Sequence, residues 1–303
     1  MSELTTILAS TIAAGTPILY ALIGDMIGQR AGVISLSVEG SMLVGACIGF
    51  GVAYQTKNMF LAVCAAILIG GFVGLLQAFL VIDRKTNMMA SGFVLMFFAQ
   101  GLTAFYGRSL LGVSFRGARA YAVPMLSEIP VIGHVFFNQD ILTYISFLLP
   151  VAAYICLTKT KMGLLTCSVG ERPEVTMAYG HNPRTIQYGA VILAGMLAGI
   201  GGVQMSCVYT LGWANNMING RGFIASALVI LCSWRPLRAY MAAYLFGLAQ
   251  ALLVYLQTKG VPISIYVSMM LPYLLTLIAL AFISASQKPS MPEKIKVISS
   301  GFD

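Results

Sequence analysis

One carboxylate, Glu39, stands well inside an apolar stretch of this sequence, and Ser35 and Ser37 precede it at alternate positions. Ionisable side chains within a membrane are costly, so each one is a functional candidate by default. A regular helix would scatter these three groups, whereas an extended or broken segment would align them on one side. We interpret the segment as lining a solute pathway or breaking a helix. The alternative is a structural role, in which Glu39 hydrogen-bonds the backbone or Arg30.

A second polar group lies between two later apolar stretches. It contains three amides and one guanidinium: Asn215, Asn216, Asn219 and Arg221. Amide side chains offer both donors and an acceptor, so they suit ribose hydroxyls and the edges of bases. These residues are candidates for the same pathway, and an ordinary turn at the outer face is the alternative.

Catalytic and metal-binding motifs are absent from the sequence. There is no phosphate-binding Gly-x-x-x-x-Gly-Lys loop, no His-Glu-x-x-His and no Gly-x-Ser-x-Gly. The two histidines, His134 and His181, lie in separate loops. The six cysteines lack Cys-x-x-Cys spacing and lie mostly in apolar stretches, so they read as small buried hydrophobic residues. We therefore expect neither an enzyme nor a metal or cofactor site.

Composition identifies the kind of protein that must position these groups. Hydrophobic residues make up 58% of the 303 and charged residues only 9%. Soluble domains carry about 25% charged residues, so an integral membrane protein is indicated. The net charge of +8 falls mostly in short loops. That distribution favours membrane orientation over nucleic-acid binding, which needs a concentrated basic face.

The apolar stretches predict an all-α polytopic membrane protein with discontinuous helices. A span needs about 20 apolar residues. Segment 222–234 is too short to cross alone, so we expect it to join the irregular segment before it, which leaves about eight spans in a domain over residues 1–284. Residues 285–303 form a predicted cytoplasmic tail. The predicted apolar segments are 4–23, 31–53, 60–82, 88–106, 141–157, 186–209, 222–234, 239–256 and 263–284.

Charge and internal similarity predict how the spans are arranged. The basic residues at 84–85, 159–184, 235–238 and 288–296 can share one face, which places the N-terminus outside. Similar Arg-Gly-containing stretches open the second span and the short span, as an inverted pseudo-repeat would leave them. Two Gly-x-x-x-Gly pairs predict close helix contacts. These pairs are Gly70 with Gly74 and Gly195 with Gly199.

The loop over residues 158–186 is compact, carries both charge signs and is punctuated by Pro and Gly. Long apolar stretches flank it on both sides. A chain that is otherwise almost entirely membrane-spanning has little reason to keep such a loop. We therefore predict that a cytosolic partner binds this loop.

An ordered set of motifs resembles the permeases of nucleoside and simple-sugar ABC importers, which belong with the ribose and branched-chain amino-acid permeases. The strongest stretch is 30–46, the second-helix motif of that family. Each piece alone is weak, but together they cover almost the whole chain. The other matching stretches are 101–108, 129–139, 169–180, 195–202, 221–225 and 234–237.

This resemblance implies a permease subunit of the bacterial cytoplasmic membrane. It implies a separate ATPase subunit, a second permease subunit and an extracytoplasmic solute-binding protein or lipoprotein as partners. Within the second-helix motif, the residues Glu39-Gly-Ser-Met favour nucleosides as the solute. Simple sugars, and then branched-chain amino acids, are the alternative solutes. A remoter alternative is a different class of protein, an ATP-independent transporter or channel. The family's ATPase-coupling segment maps to 170–180. Its candidate residues are Gly170, Glu171, Arg172, Pro173, Glu174, Tyr179 and Gly180.

Overall fold

The computed structural model describes residues 3–114, 121–122 and 135–259, together with positions 270, 273–274, 276–278 and 281. Its α-helices are α1 Glu3–Arg30, α2 Val38–Thr56, α3 Met59–Ala78, α4 Met88–Tyr106, α5 Ile141–Lys159, α6 Lys161–Glu171, α7 Pro173–Ala178, α8 Pro183–Gln204, α9 Arg221–Leu231 and α10 Ala239–Thr258. π-Helical turns extend α3 (Phe79–Asp83) and α8 (Met205–Tyr209), and 3₁₀ turns cover Gly107–Leu110 and Pro236–Arg238. The short strands β1 Tyr121–Ala122 and β2 Asn138–Gln139 pair antiparallel.

The all-α polytopic prediction is confirmed. Six helices in the described part of the chain are long and apolar enough to cross a membrane. They do not include α2 or the short α9. The predicted span 263–284 falls mostly outside the described residues, as do the tail 285–303 and most of the motif at 129–139.

Helices α1 and α8 form the centre of the bundle and run in opposite directions. Gly24 of α1 packs against Ala194 of α8, whereas Pro17, earlier in α1, packs against Gly201, later in α8. A larger share of these two helices is buried than of any other membrane-length helix in the described residues. They are therefore the axis on which the remaining helices are arranged.

Each central helix is followed by a non-helical segment and then by a helix that begins inside the bundle. Residues 31–37 separate α1 from α2, and residues 210–220 separate the extended α8 from α9. Because α1 and α8 are antiparallel, the two units have opposite directions, as an inverted repeat requires. Helix α9 has 11 residues, which gives it a length of about 16 Å. It cannot cross a membrane alone, in agreement with the sequence.

Two boundaries differ from the sequence prediction. Helix α1 was predicted to end at residue 23 but continues to Arg30, and most of the added residues 24–29 are buried in the bundle. The second span begins at Val38 rather than at residue 31, since Ala31–Ser37 is irregular. Consequently Arg30 ends α1 while Arg221 begins α9, so these two arginines do not occupy equivalent places in the repeat.

The two Gly-x-x-x-Gly pairs meet where α3 crosses α8. A Cβ atom added at Gly195 would lie 2.3 Å from the Gly70 carbonyl oxygen, and one added at Gly70 would lie 2.4 Å from that of Gly195. A Cβ atom at Gly199 would lie 2.3 Å from the carbonyl oxygen of Ala66. The helix backbones are thus in direct contact, which only glycine allows. This prediction is confirmed.

Replacing Gly195 with alanine should therefore destabilise the bundle. The added methyl group would force α3 and α8 apart, and such overpacking costs about 1 to 3 kcal/mol of the free energy of unfolding. The fraction of purified protein that stays monodisperse in detergent after heating measures the effect. Gly189→Ala on the same helix is the control, because no atom lies within 4 Å of its added Cβ. Equal stability of the two variants would contradict the crossing.

Candidate functional site

The Glu39 side chain caps the beginning of α9. Glu39 is only 3% exposed. Its Oε1 accepts a hydrogen bond from the Gly220 backbone N–H at 2.7 Å, and its Oε2 accepts one from Gly222 N–H at 2.6 Å. The first N–H groups of a helix have no partner within the helix and carry a partial positive charge. Glu39 satisfies two N–H groups there while standing in the first turn of α2.

The beginnings of α2 and α9 are therefore held together at one place inside the bundle. A Cβ atom at Gly222 would lie 2.5 Å from the Glu39 Cα, so glycine is needed for this approach. Glu39 and Gly222 are each the second residue of their helix. They are the structurally corresponding positions of the inverted repeat.

Ser35 and Ser37 lie in the non-helical segment 31–37 that precedes Glu39. Both are buried, and their Oγ atoms lie 2.7 Å apart, within hydrogen-bonding distance of each other. The predicted break is present, and the two hydroxyls lie on one side of it. Arg30 does not pair with Glu39; it donates from Nη2 to the Trp234 carbonyl oxygen at 2.8 Å. The geometry of Glu39 thus matches the backbone-bonded alternative.

The segment 210–220 presents its amides outward. Asn215, Asn216 and Asn219 are exposed, and Asn216 (φ 55°) and Asn219 (φ 50°) have left-handed backbone conformations. Asparagine tolerates this conformation better than most residues. The Asn219 carbonyl oxygen accepts a hydrogen bond from the Tyr273 hydroxyl at 2.6 Å. The Asn219 side chain is exposed, and the next residue, Gly220, is one of the two that donate to Glu39.

Arg221 is less exposed than the three asparagines, and its side chain is hydrogen-bonded within the protein. It is partly buried and donates from Nη1 to the Met217 carbonyl oxygen at 3.1 Å and from Nη2 to Gln250 Oε1 at 3.3 Å. These bonds fold its guanidinium back onto the preceding turn and onto α10. Arg221 consequently braces the beginning of α9.

An aromatic group borders the same place and was missed in the sequence. The rings of Phe93 on α4 and Phe223 on α9 have centroids 5.7 Å apart. Phe97 lies one turn after Phe93 and is 62% exposed. The four-residue spacing that puts Phe93 and Phe97 on one helix face was a usable signal. Such rings commonly pack against lipid, so the spacing alone did not distinguish them.

Helices α6 and α7 form a hairpin over most of the predicted coupling segment. The Thr160 hydroxyl caps α6 by accepting from Gly163 N–H at 3.1 Å, and Pro173 begins α7. At the tip the side chains point outward, and Tyr179 is 79% exposed. Of the predicted coupling residues, Gly170 is buried and Pro173 is half-buried. The others are exposed: Glu171, Arg172, Glu174, Tyr179 and Gly180.

The buried end of the hairpin rests on the end of α1. A Cβ atom at Gly170 would lie 2.0 Å from the Arg30 carbonyl oxygen and 2.9 Å from Gly32 N. The hairpin therefore contacts the backbone at the point where α1 stops and the irregular segment 31–37 starts. No group of three or more metal-ligating side chains occurs within the described residues.

Comparison with known proteins agrees with this architecture. The family profile for the branched-chain amino acid transport system permease component matches residues 6–280. A candidate glucose ABC transporter permease protein of Haloferax volcanii is 37% identical over 83% of this chain and 78% of its own length. No solved structure matches significantly.

Two nucleoside permeases match nearly the full length. The nucleoside ABC transporter permease NupC of Lactococcus lactis is 31% identical over 93% of each chain. The guanosine ABC transporter permease NupQ of Bacillus subtilis is 30% identical over 94% of each chain. The chain therefore belongs to the branched-chain amino acid transport system permease family, and it is a multi-pass permease protein of ABC importers in the cytoplasmic membrane.

Proposed function

We propose that this chain is the permease subunit of an ABC importer for nucleosides. The observation that carries the proposal is its match to two permeases named for nucleosides over 93% and 94% of both partners' lengths. The alternative solute is a simple sugar, which the 37% identity to a candidate glucose permease favours. Branched-chain amino acids have only the family description in their favour.

The side chains beside the Glu39 cap suit a nucleoside better than a sugar. A base has flat apolar faces, which Phe93 and Phe97 can stack against. The exposed amides of Asn215, Asn216 and Asn219 can hydrogen-bond the ribose hydroxyls and the base edges. A sugar would use the amides but leave the phenylalanines unmatched. Arg221 and Glu39 would then fix the shape of the pathway without binding the solute directly.

The α6–α7 hairpin is the proposed docking site for a separate ATPase. It joins exposed charges to exposed apolar side chains such as Tyr179 and Met177, of which 79% and 56% are exposed. A protein partner can cover such a surface, whereas lipid cannot satisfy its charges. The proposed arrangement has the hairpin in the cytosol, a second permease subunit alongside, and a solute-binding protein or lipoprotein on the other side of the membrane. The chain would hydrolyse no ATP itself.

Uptake by the complete importer tests the solute. We expect proteoliposomes that contain the permeases, the ATPase and the solute-binding protein to accumulate radiolabelled guanosine or adenosine when ATP is enclosed on the ATPase side. A hundredfold excess of unlabelled nucleoside should compete, and the same excess of glucose should not. Competition by glucose alone would favour the sugar importer. Uptake that persists without ATP would favour a secondary transporter or channel.

Replacing Asn219 with glycine should weaken nucleoside uptake severalfold, since one neutral hydrogen bond is worth about 1 kcal/mol. Glycine adopts the left-handed backbone of Asn219 readily, so this variant removes the amide without adding strain. Asn219→Ala would confound the two effects. Lys57→Gly is the control, because Lys57 also has a positive φ of 52° but lies beyond the other end of α2. Unchanged uptake in Asn219→Gly, with equal protein in the membrane, would remove Asn219 from the pathway.

A further inference from the structure

A buried set of hydrogen bonds ties the end of α1 to Trp234, in the turn that follows α9 and is hydrogen-bonded to it through Trp234 N–H and the Val229 carbonyl oxygen. Gln29 Nε2 donates to Asp25 Oδ2 at 2.7 Å, and Trp234 Nε1 donates to Gln29 Oε1 at 2.8 Å. Asp25, Gln29 and Trp234 are 0%, 3% and 1% exposed. Trp234 is separated from Gln29 by 205 positions in sequence. This set was not identified from the sequence.

Arg30 connects these hydrogen-bonded residues to the α6–α7 hairpin. Arg30 donates from its side chain to the Trp234 carbonyl oxygen at 2.8 Å. The backbone carbonyl of Arg30 is the surface on which Gly170 packs, with no room for a side chain between them. A movement of the hairpin must therefore displace Arg30, and with it the Trp234 end of α9.

The other end of α9 carries the Glu39 contact. Ser226, one turn into α9, lies beside the Asp25 carboxylate, and its Oγ lies 3.4 Å from the Gly222 carbonyl oxygen. The Gly222 N–H donates to Glu39. Helix α9 is thus held at its end by Trp234, along its length by Asp25, and at its beginning by Glu39. Between these attachments it has only 11 residues and can move as a rigid rod.

We propose that Asp25, Gln29, Arg30 and Trp234 are positioning residues that transmit movement of the hairpin to the beginning of α9. This inference rests on the proposed ABC importer function. Polar contacts fix both distance and direction, which apolar packing at this place would not do.

The mechanical consequence is specific. When the ATPase pulls or releases the hairpin, α9 tilts about its contact with α1. Its beginning, together with the beginning of α2 that Glu39 holds to it, then shifts relative to α4, at the place where Phe223 and the exposed amides border the proposed pathway. The solute pathway changes shape without any contact between the solute and the relay residues.

Trp234→Phe is the informative variant, because it keeps most of the ring packing and removes only the Nε1–H donor. In the reconstituted importer we expect nucleoside uptake to fall at least tenfold while the ATPase still co-purifies. Spin labels on the exposed residues Ala227 (α9) and Val94 (α4) report the tilt directly. Their distance should change between the nucleotide-free and vanadate-trapped wild-type complexes, and this change should be lost in Trp234→Phe.

Trp213→Phe is the matched control. Trp213 is also buried, at 4% exposed, but its Nε1 has no hydrogen-bond partner among the described residues. The same ring truncation there should leave the distance change intact. Asp25→Asn should likewise retain coupling, since its amide oxygen still accepts from Gln29, whereas Asp25→Leu should lose it. Loss of coupling in Asp25→Asn would contradict a relay based on hydrogen bonds.

A wild-type distance change in Trp234→Phe would overturn the relay. If Trp234→Phe does not assemble, Gln29→Met takes its place in the uptake and label-distance measurements. This variant removes the hydrogen bonds of Gln29 to Asp25 and to Trp234 at little change in side-chain volume. The label distance requires only the ATPase and nucleotide, so it reads the relay whatever the solute is. A wild-type chain that binds no ATPase would contradict the proposed function itself.

Discussion

Replacing Glu39 with leucine is expected to remove most of the protein from the membrane. Leucine is apolar, one atom shorter than glutamate, and accepts no hydrogen bond, so the N–H groups of Gly220 and Gly222 would be left buried without a partner. Unsatisfied backbone groups away from water cost several kcal/mol each. That loss is comparable with the whole stability of an ordinary domain, about 5 to 15 kcal/mol. We expect at least a tenfold fall in folded protein, measured by fluorescence-detected size-exclusion chromatography of a fusion protein.

Two further variants separate loss of the hydrogen bonds at Glu39 from a general effect of substitution in α2. Glu39→Gln retains one acceptor oxygen but turns its NH₂ group toward a backbone N–H, so it should keep part of the fold and part of the uptake. Ser41→Ala is the control, because the Ser41 hydroxyl is buried two residues later without a hydrogen-bond partner among the described residues. It should express at the wild-type level. Normal amounts of folded Glu39→Leu would show that the cap does not hold the beginnings of α2 and α9 together.

Removing the exposed side chains of the α6–α7 hairpin is expected to separate the permease from its ATPase. Glu171 and Arg172 are exposed and Tyr179 is 79% exposed. Alanine at all three positions should therefore leave folding intact. Interfaces depend on a few large anchors, and loss of one anchor costs about 2 kcal/mol or more. We expect at least a tenfold loss of ATPase co-purification and no ATP-driven uptake.

The control for the hairpin variant is Tyr54→Ala. Tyr54 is 47% exposed near the end of α2, at the opposite end of the bundle from the hairpin. Its removal should change neither co-purification nor ATP-driven uptake. An unchanged amount of ATPase bound to the triple hairpin variant would place the docking site elsewhere on the permease.

Features with a local cause were predictable from the sequence. Apolar stretches of about 20 residues predict spans because the bilayer has a fixed thickness. The short segment before Trp234 predicted a half-helix for the same reason. The Gly-x-x-x-Gly pairs predicted close contacts, and the structure shows that Gly70 and Gly195 contact each other. The sequence could not predict that these two pairs contact each other, because this depends on how the helices assemble.

The candidate site was predicted less well, because its contacts join distant parts of the chain. Glu39 was correctly singled out as a buried carboxylate, but its partners lie 181 and 183 residues away. Asp25 was not singled out, because it lies beyond residue 23, the predicted end of the first span, whereas α1 continues to Arg30. Ser35 and Ser37 satisfy each other, an arrangement that alternation alone could not distinguish from a polar stripe. The role of all these residues in solute transport stays a prediction.

The distance in sequence between Glu39 and Gly222 also affects how the protein is made. A ribosome adds roughly 5 to 20 residues per second. The 183 residues between the two partners therefore take roughly 10 to 40 s to synthesise at that rate. Throughout this interval a newly inserted α2 carries its carboxylate without the N–H groups that will later satisfy it. The first half of the protein consequently stays in the membrane without this contact until the second half arrives.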